Sequence, residues 1–211
     1  MKRCCLLLCV ALLSSCAILP GGKPAVSRNV VYLLETRLPA SEVEAKPGCH
    51  VVVVNPPENA PGHTGRQMLY QRNPNQIERF AFSRWAASPA VMIEPLLLDA
   101  LRRSNRYDAV LASPAPVRAD LRIENDNLWL IQRFDGEGSY IELRMSSQIY
   151  VPVARRLIAS QDFSYREQTG DATPAGGVLA AERAVQRLLR DFREFVGEAA
   201  HNSGYDCVAS D

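Results

Sequence analysis

The stretch ADLRIENDNLWLIQRFDGEGSYIELRMSSQIYVP, residues 119–152, decides the class of fold. Its second half alternates: Ile141, Leu143 and Met145 against Glu142, Arg144 and Ser146. Side chains of a strand point to opposite faces in turn, so this period of two buries one face and leaves the other polar. Between the halves stands Asp135-Gly136-Glu137-Gly138, whose glycines suit a tight reversal. The pattern predicts a long hairpin. The same glycines do not make a phosphate loop, so a turn is the better reading.

The flanks extend this reading. RRLIASQDFSYREQ, residues 155–168, is strand-like. After TGDATPAGG comes the longest predicted helix, about Gly177 to Ala200. Val178, Ala181, Val185, Leu188, Phe192 and Val196 recur in it at steps of three and four. Glu182, Arg183, Arg187, Arg190 and Glu194 cover its other side, so it is expected to cover a core. Upstream, Val30 to Leu38 reads as a first strand. Cys49 to Val54 reads as a β-branched second strand, stopped by Pro56-Pro57. ENAPGHTG is a surface loop. RQMLYQRN and NQIERFAFSRWA flank Asn73-Pro74-Asn75, a second hairpin. Ser88-Pro89 starts a helix, with Val91, Met92, Leu98 and Leu101 on one face. Pro95 lies inside it, so the helix is expected to kink or start late. YDAVLAS is a short strand. Trp85, just before the helix, is read as a core wedge rather than an exposed contact. Trp129 is read as mainly structural.

The N-terminal residues carry a different signal. Met1, Lys2 and Arg3 precede ten apolar residues, Cys4 to Leu13. A helix of that length covers roughly half a bilayer core at about 1.5 Å per residue, too short to span. It fits the apolar core of a signal peptide. Leu13-Ser14-Ser15-Cys16 then resembles a bacterial lipobox, which implies cleavage before Cys16 and acylation of that thiol. Two or more acyl chains give lasting anchorage, at about 0.8 kcal/mol per buried methylene. Residues 1–15 are therefore expected to be a lipoprotein signal, 16–29 a lipidated tether rich in Pro and Gly, and 30–211 one domain. Ala17 stands after the cysteine. By similarity to sorted lipoproteins, a residue other than Asp there implies the outer membrane.

Composition narrows the functional classes. The chain has 24 basic and 23 acidic residues, a formal charge of +1. Loss of Lys2 and Arg3 with the signal moves it to −1. A near-neutral balance with scattered arginines argues against a general nucleic-acid binder. Cys4, Cys5 and Cys9 leave with the signal and Cys16 carries lipid, so Cys49 and Cys207 remain. An oxidising compartment permits them to pair. Two unpaired thiols are the alternative, and the disulfide is the expectation. No cysteine has metal-ligand spacing, so no metal site is expected. His50, His63 and His201 are isolated in sequence, and no GxSxG elbow accompanies them. Asp120, Glu124, Asp126 and Asp135 are read as solvent-facing charges rather than a catalytic pair. No catalytic residue is assigned and no enzymatic activity is expected.

The run CHVVVVNPPENAPGHTGRQMLYQRNPNQIERFAFSRWAASPAVMIEPLLLDALRRSNRYDAVL, residues 49–111, resembles the ABC-type transport auxiliary lipoprotein family. The shared order is the lipobox, an early strand at Tyr32 to Leu34 and a second at Met68 to Tyr70. Then come a Trp85 to Pro89 step into a helix, a strand at Tyr107 to Val110, and a late Ala- and Arg-rich helix at Gly177 to Ala199. The resemblance implies an α/β layered sandwich with a mixed β-sheet and two main helices, similar to anticodon-binding-like folds. It implies a periplasmic, non-catalytic auxiliary protein of an MCE-type lipid transport system. The implied partners are an MCE-type periplasmic protein, a permease and an ATPase; no cofactor belongs on this chain. A homo-oligomer is left open. Alternatives are an envelope-assembly lipoprotein that supports another envelope protein or enzyme, and a tethered hydrolase.

Overall fold

The computed structural model describes residues 29–39, 50–136 and 138–203. The signal at 1–15, Cys16, Cys49, Cys207 and most of the tether lie outside the described residues. The elements are β1 (Val30–Tyr32), β2 (Val51–Val54), β3 (Gln67–Gln71), β4 (Glu78–Trp85), α1 (Pro89–Arg102), β5 (Ala109–Ala112), β6 (Leu121–Phe134), β7 (Ser139–Val151), β8 (Arg156–Gln168) and α2 (Pro174–Asn202). The eight strands form one mixed sheet.

β6 is the axis of the sheet. β7 runs antiparallel to it from Arg122↔Tyr150 to Phe134↔Ser139, which occupies one whole edge. Its other edge is shared by two parallel strands. β2 takes the start, with Val52↔Leu121 and Val54↔Ile123. β3 takes the end, with Tyr70↔Gln132 and Gln71↔Arg133. Between them the loop keeps contact: Glu58 N–H donates to Asn125 O at 3.0 Å, and Ala60 N–H to Leu128 O at 2.9 Å. β5 adds to β2 in parallel, β4 to β3 antiparallel, and β1 to β4 in parallel. β8 extends the far side through β7. The expected hairpins at residues 73–75 and 135–138 are both present. Asn75 takes a φ of 62° and Gly136 one of 92° in those turns.

The helices lie on one face. The inward residues of β7, Ile141, Leu143, Met145, Ile149 and Val151, are all 2 % exposed or less, which matches the alternation in the sequence. α2 packs on β7 and β8, while α1 packs on α2 and β5. All six apolar residues singled out on α2 are buried. The helix begins earlier than the periodicity suggests, because Thr173 caps it. Its hydroxyl accepts from Gly176 N–H at 3.2 Å, and Pro174 fills the first turn, where no amide donor is needed.

Three expectations need correction. The first strand ends at Tyr32 rather than Leu38, because its partner β4 ends at Trp85, opposite Tyr32. Leu34 and Thr36 are still buried, but without a ladder. α1 does not start late: it runs from Pro89 through Pro95 to Arg102. Pro95 and Val91 are both exposed, so water can satisfy the Val91 carbonyl that Pro95 cannot. Val91, at 59 % exposure, therefore does not share the buried face of Met92, Leu98 and Leu101.

A buried polar cluster joins α2 to the hairpin. Gln132 Nε2 donates to Ser139 Oγ at 2.8 Å and to Thr173 O at 3.4 Å. Thr169 Oγ1 donates to Ser139 O at 2.8 Å. Gly177 makes this approach possible, because a Cβ there would fall on Gln132 Oε1. In an open helix, Gly→Ala gains about 0.5–1 kcal/mol. Here overpacking costs about 1–3 kcal/mol. Gly177→Ala is therefore expected to destabilise the fold by about 1 kcal/mol, read as a lower urea midpoint with an unchanged slope. A gain in stability would contradict the close contact.

Candidate functional site

Among the described residues no hydrogen bond or ion pair joins any of His50, His63, His201, Asp120, Glu124, Asp126 and Asp135 to another; Glu124 and Asp126 stand two apart on one face of β6. His50 is buried just before β2, and its carbonyl accepts from Asp108 N–H at 3.1 Å. His63 is buried in the loop between β2 and β3, and His201 is exposed at the end of α2. Asp120 is not solvent-facing alone: its Oδ2 accepts from Val51 N–H at 2.8 Å and fixes the start of β2. Asp135 Oδ1 accepts from Gly138 N–H at 3.1 Å inside the turn. Asp120 and Asp135 bracket β6, so at about 3.3 Å per residue they stand more than about 40 Å apart. Among the described residues no group of three His, Cys, Asp or Glu is placed to hold a metal. No helix of the described residues is long and apolar enough to cross a membrane.

Trp85 is a core residue, 2 % exposed, as expected. Trp129 is more particular. It pairs with Arg144 across the β6–β7 ladder, on the face away from the helices, and follows a bulge in which Asn127 has a φ of 53°. The His63 ring lies 3.7 Å from the Trp129 ring centre, and the Arg144 guanidinium 4.6 Å from it. His63 Nδ1 lies 3.1 Å from the Pro61 carbonyl, so it carries the proton and donates. His63 Nε2, Trp129 Nε1 and Asn59 Oδ1 are buried with no hydrogen-bond partner among the described residues. Burial pushes the His63 pKa below the ordinary 6.5; the Pro61 bond opposes this and Arg144 assists it. The arrangement is a neutral imidazole clamped on indole. It holds the Pro- and Gly-rich loop against β6, and no nucleophile or acid is in bonded contact with it among the described residues.

The second site lies where α1 leaves off and the C-terminal half of α2 passes. Ser104, Arg106, Arg190, Arg193 and Glu194 line a cavity of about 190 Å³. Arg190 and Arg193 are three residues apart and so share a helix face. Arg106 reaches in against Gly197, where a Cβ would meet its Nη1. Arg193 Nη1 is buried and has no hydrogen-bond partner among the described residues. Elsewhere on α2 the arginines are paired: Arg187 Nη1 donates to Glu167 Oε1 at 2.7 Å, and Arg183 lies 3.7 Å from Glu167. The sequence pattern puts Arg183, Arg187, Arg190 and Glu194 on the polar side of the helix and does not single out Arg193 or Arg106. The spacing of Arg190 and Arg193 was a visible signal, but Arg106 joins them only through the packing of α1 on α2.

The fold and the order of its elements have known relatives. The model of the ABC-type transport auxiliary lipoprotein component family matches residues 32–192. The chain belongs to this family. Among solved structures it is similar to protein XCC0632 from Xanthomonas campestris, with a TM-score of 0.74 at 14 % identity over 82 % of this chain and 98 % of that one. It is also similar to an uncharacterized protein, with a TM-score of 0.60 at 11 % identity over 80 % and 99 %. At these identities the likeness concerns the fold. No curated protein matches the chain.

The His63 clamp has a pH consequence. The unfolded chain gains a proton at His63 near the ordinary 6.5, and the folded chain only at lower pH. The stabilisation is complete above that value and is lost as pH falls through the folded pKa. His63→Phe keeps an aromatic ring on Trp129 but cannot titrate. Its melting temperature is expected to fall less than that of the parent between about pH 7 and pH 5. Parallel curves for the two proteins would show that His63 is not held neutral.

Proposed function

We propose that this protein is a lipid-anchored, non-catalytic auxiliary component of an ABC-type lipid transport system. The observation that carries the reading is the family match over residues 32–192, which includes nearly all of the described fold. Cys16 is the proposed acylated residue, on the strength of Leu13-Ser14-Ser15-Cys16 behind a short apolar core. The anchor holds the domain on the periplasmic face of the outer membrane, which Ala17 favours. From there the domain serves an MCE-type periplasmic protein together with its permease and ATPase. No ATP-binding pattern is present in the sequence to suggest an engine on this chain.

The proposed disulfide between Cys49 and Cys207 is supported by where the neighbouring described residues lie. His50 leads into β2 at the start of β6. The end of β7 and the start of β8 lie at that same end, with Val151↔Arg156. Arg156 Nη2 donates to Ser203 O at 3.4 Å, which brings the end of α2 to that margin. β8 to β2 is three strand spacings, about 15 Å. The residues beyond Ser203 and before His50, with the bridge itself, supply about 22 Å of reach.

Two measurements test this reading. Cys16→Ala is expected to abolish the acyl mass on the membrane-extracted protein and to leave an uncleaved precursor. Purification of the wild-type chain in mild detergent is expected to retain an MCE-type protein and an ABC permease and ATPase. Their absence from a correctly acylated preparation would overturn the transport role and leave envelope assembly as the reading. For the disulfide, thiol labelling of the denatured, unreduced mature protein is expected to find no free cysteine. Two free thiols per chain would show that the pairing is wrong.

A further inference from the structure

We propose that the arginine-lined cavity between the segment after α1 and α2 is a binding site for a phosphate-bearing anion. Three guanidinium groups, Arg106, Arg190 and Arg193, face one carboxylate, Glu194. Among the described residues, Arg106 and Arg193 form no ion pair. Arg190 reaches only its neighbour Asp191, at 3.6 Å. That carboxylate is already engaged, because Tyr165 Oη donates to Asp191 Oδ2 at 2.7 Å. Among the described residues the cationic excess in the cavity is therefore uncompensated.

Arg193 shows that this is more than a solvated patch. A buried donor left without a partner forgoes the hydrogen bond that water would give it in the unfolded chain. Arg193 Nη1 is in that state, whereas Arg183 and Arg187 on the same helix turn to Glu167. Gly197 adds a second feature: it leaves the space beside α2 into which Arg106 extends. The helix dipole does not create the site, since its negative end acts within the last turn and Arg193 lies more than two turns before Asn202. The guanidinium groups decide the sign.

Chemistry then selects the ligand. Guanidinium forks bind oxyanions through paired N–H donors. A carboxylate offers two oxygens to three forks, whereas a phosphate offers three or four in a tetrahedral array. Pockets for drug-sized molecules run to roughly 300–1,000 Å³. A cavity of about 190 Å³ is smaller, which suits a phosphate or a small headgroup. A phospholipid headgroup and a soluble phosphate ester share this chemistry. The inference does not rest on the transport role, because anion binding is measured without any transporter.

The test is calorimetric titration of the full chain in detergent. One arm uses glycerol phosphate, the other short-chain phosphatidic acid. Saturable one-site binding is expected in at least one arm. Arg106→Gln and Arg193→Met should each weaken it by about tenfold or more, and Glu194→Gln should tighten it. Arg183→Gln, outside the cavity, should leave it unchanged. Arg106 is exposed, so its variant carries the test if Arg193→Met fails to fold. Binding in both arms, or to phosphatidic acid alone, assigns the lipid headgroup; binding to glycerol phosphate alone assigns a soluble ester. Three results would overturn the site: no saturable binding in either arm, equal weakening by Arg183→Gln, or binding that appears only after deletion of residues 204–211. The last would assign the cavity to the chain's own Asp206 or Asp211.

Discussion

The ladder between β6 and β7 is the constraint on which the rest of this fold depends. It pairs residues from Arg122 to Phe134 and leaves β6 with one free edge. That edge is long enough for two short strands in series, and β2 and β3 both use it in parallel. A four-residue strand such as β2 has too few ladder bonds to persist alone. It is held because β6 is already fixed by β7 and because β5 closes its other side. The connection from β2 to β3 then has no freedom to leave the sheet. Its amides bond to Asn125 and Leu128, and its His63 stacks on Trp129.

Register is enforced by polar groups inside the sheet as much as by the apolar pattern. Ser147 Oγ donates to Asn125 Oδ1 at 2.6 Å, and Asn125 Nδ2 donates to Asn55 O at 3.2 Å. This line crosses β7, β6 and the end of β2 while nearly free of solvent. A slip of one residue along β6 would turn Asn125 to the opposite face and leave three polar groups unpaired. At the other end Arg133 bonds to Glu142 of β7 and to Gln71 of β3. The two polar bridges stand at opposite ends of β6, so β2 and β3 are each indexed against it independently.

Much of this was legible in the sequence where a single period ran long enough. The alternation from Ile141 to Ser146 and the three-and-four spacing on α2 each bury a continuous face, and both appear as read. The turns at Asn75 and Gly136 were legible because only a few residue types accept a positive φ. The failures were tertiary. Nothing between Leu33 and Leu38 announces that β4 stops opposite Tyr32, so the apolar run read as strand beyond its partner. Pro95 read as a breaker because the sequence does not say that its turn of α1 faces water. The arginine cavity escaped because Arg106 is more than eighty residues from Arg190, and only helix packing joins them. Cys16, Cys49 and Cys207 lie outside the described residues, so the anchor and the disulfide rest on chemistry and reach.

The sheet also fixes where two regions of the molecule stand relative to each other. β1, which follows directly on the proposed tether, joins the sheet through β4 and β3, at the half of β6 that ends in Phe134. Val30, Val31 and Leu33 are exposed along that margin. The arginine cavity belongs to the C-terminal half of α2, and α2 ends beside Arg156 and the start of β6. Fourteen residues of strand lie between the two ends of β6, roughly 45 Å at about 3.3 Å per residue. β7 spans the same length, and α2 is packed along β7 and β8. Glu35, three residues past β1, donates its amide N–H to Glu182 Oε1 at 3.3 Å, so this margin meets α2 about two turns before the cavity at Arg190. β1 and α2 are both fixed on one sheet, so the domain holds the cavity at a set place relative to the start of β1. Changing the proposed tether would change how far the domain reaches and would leave that internal placement as it is.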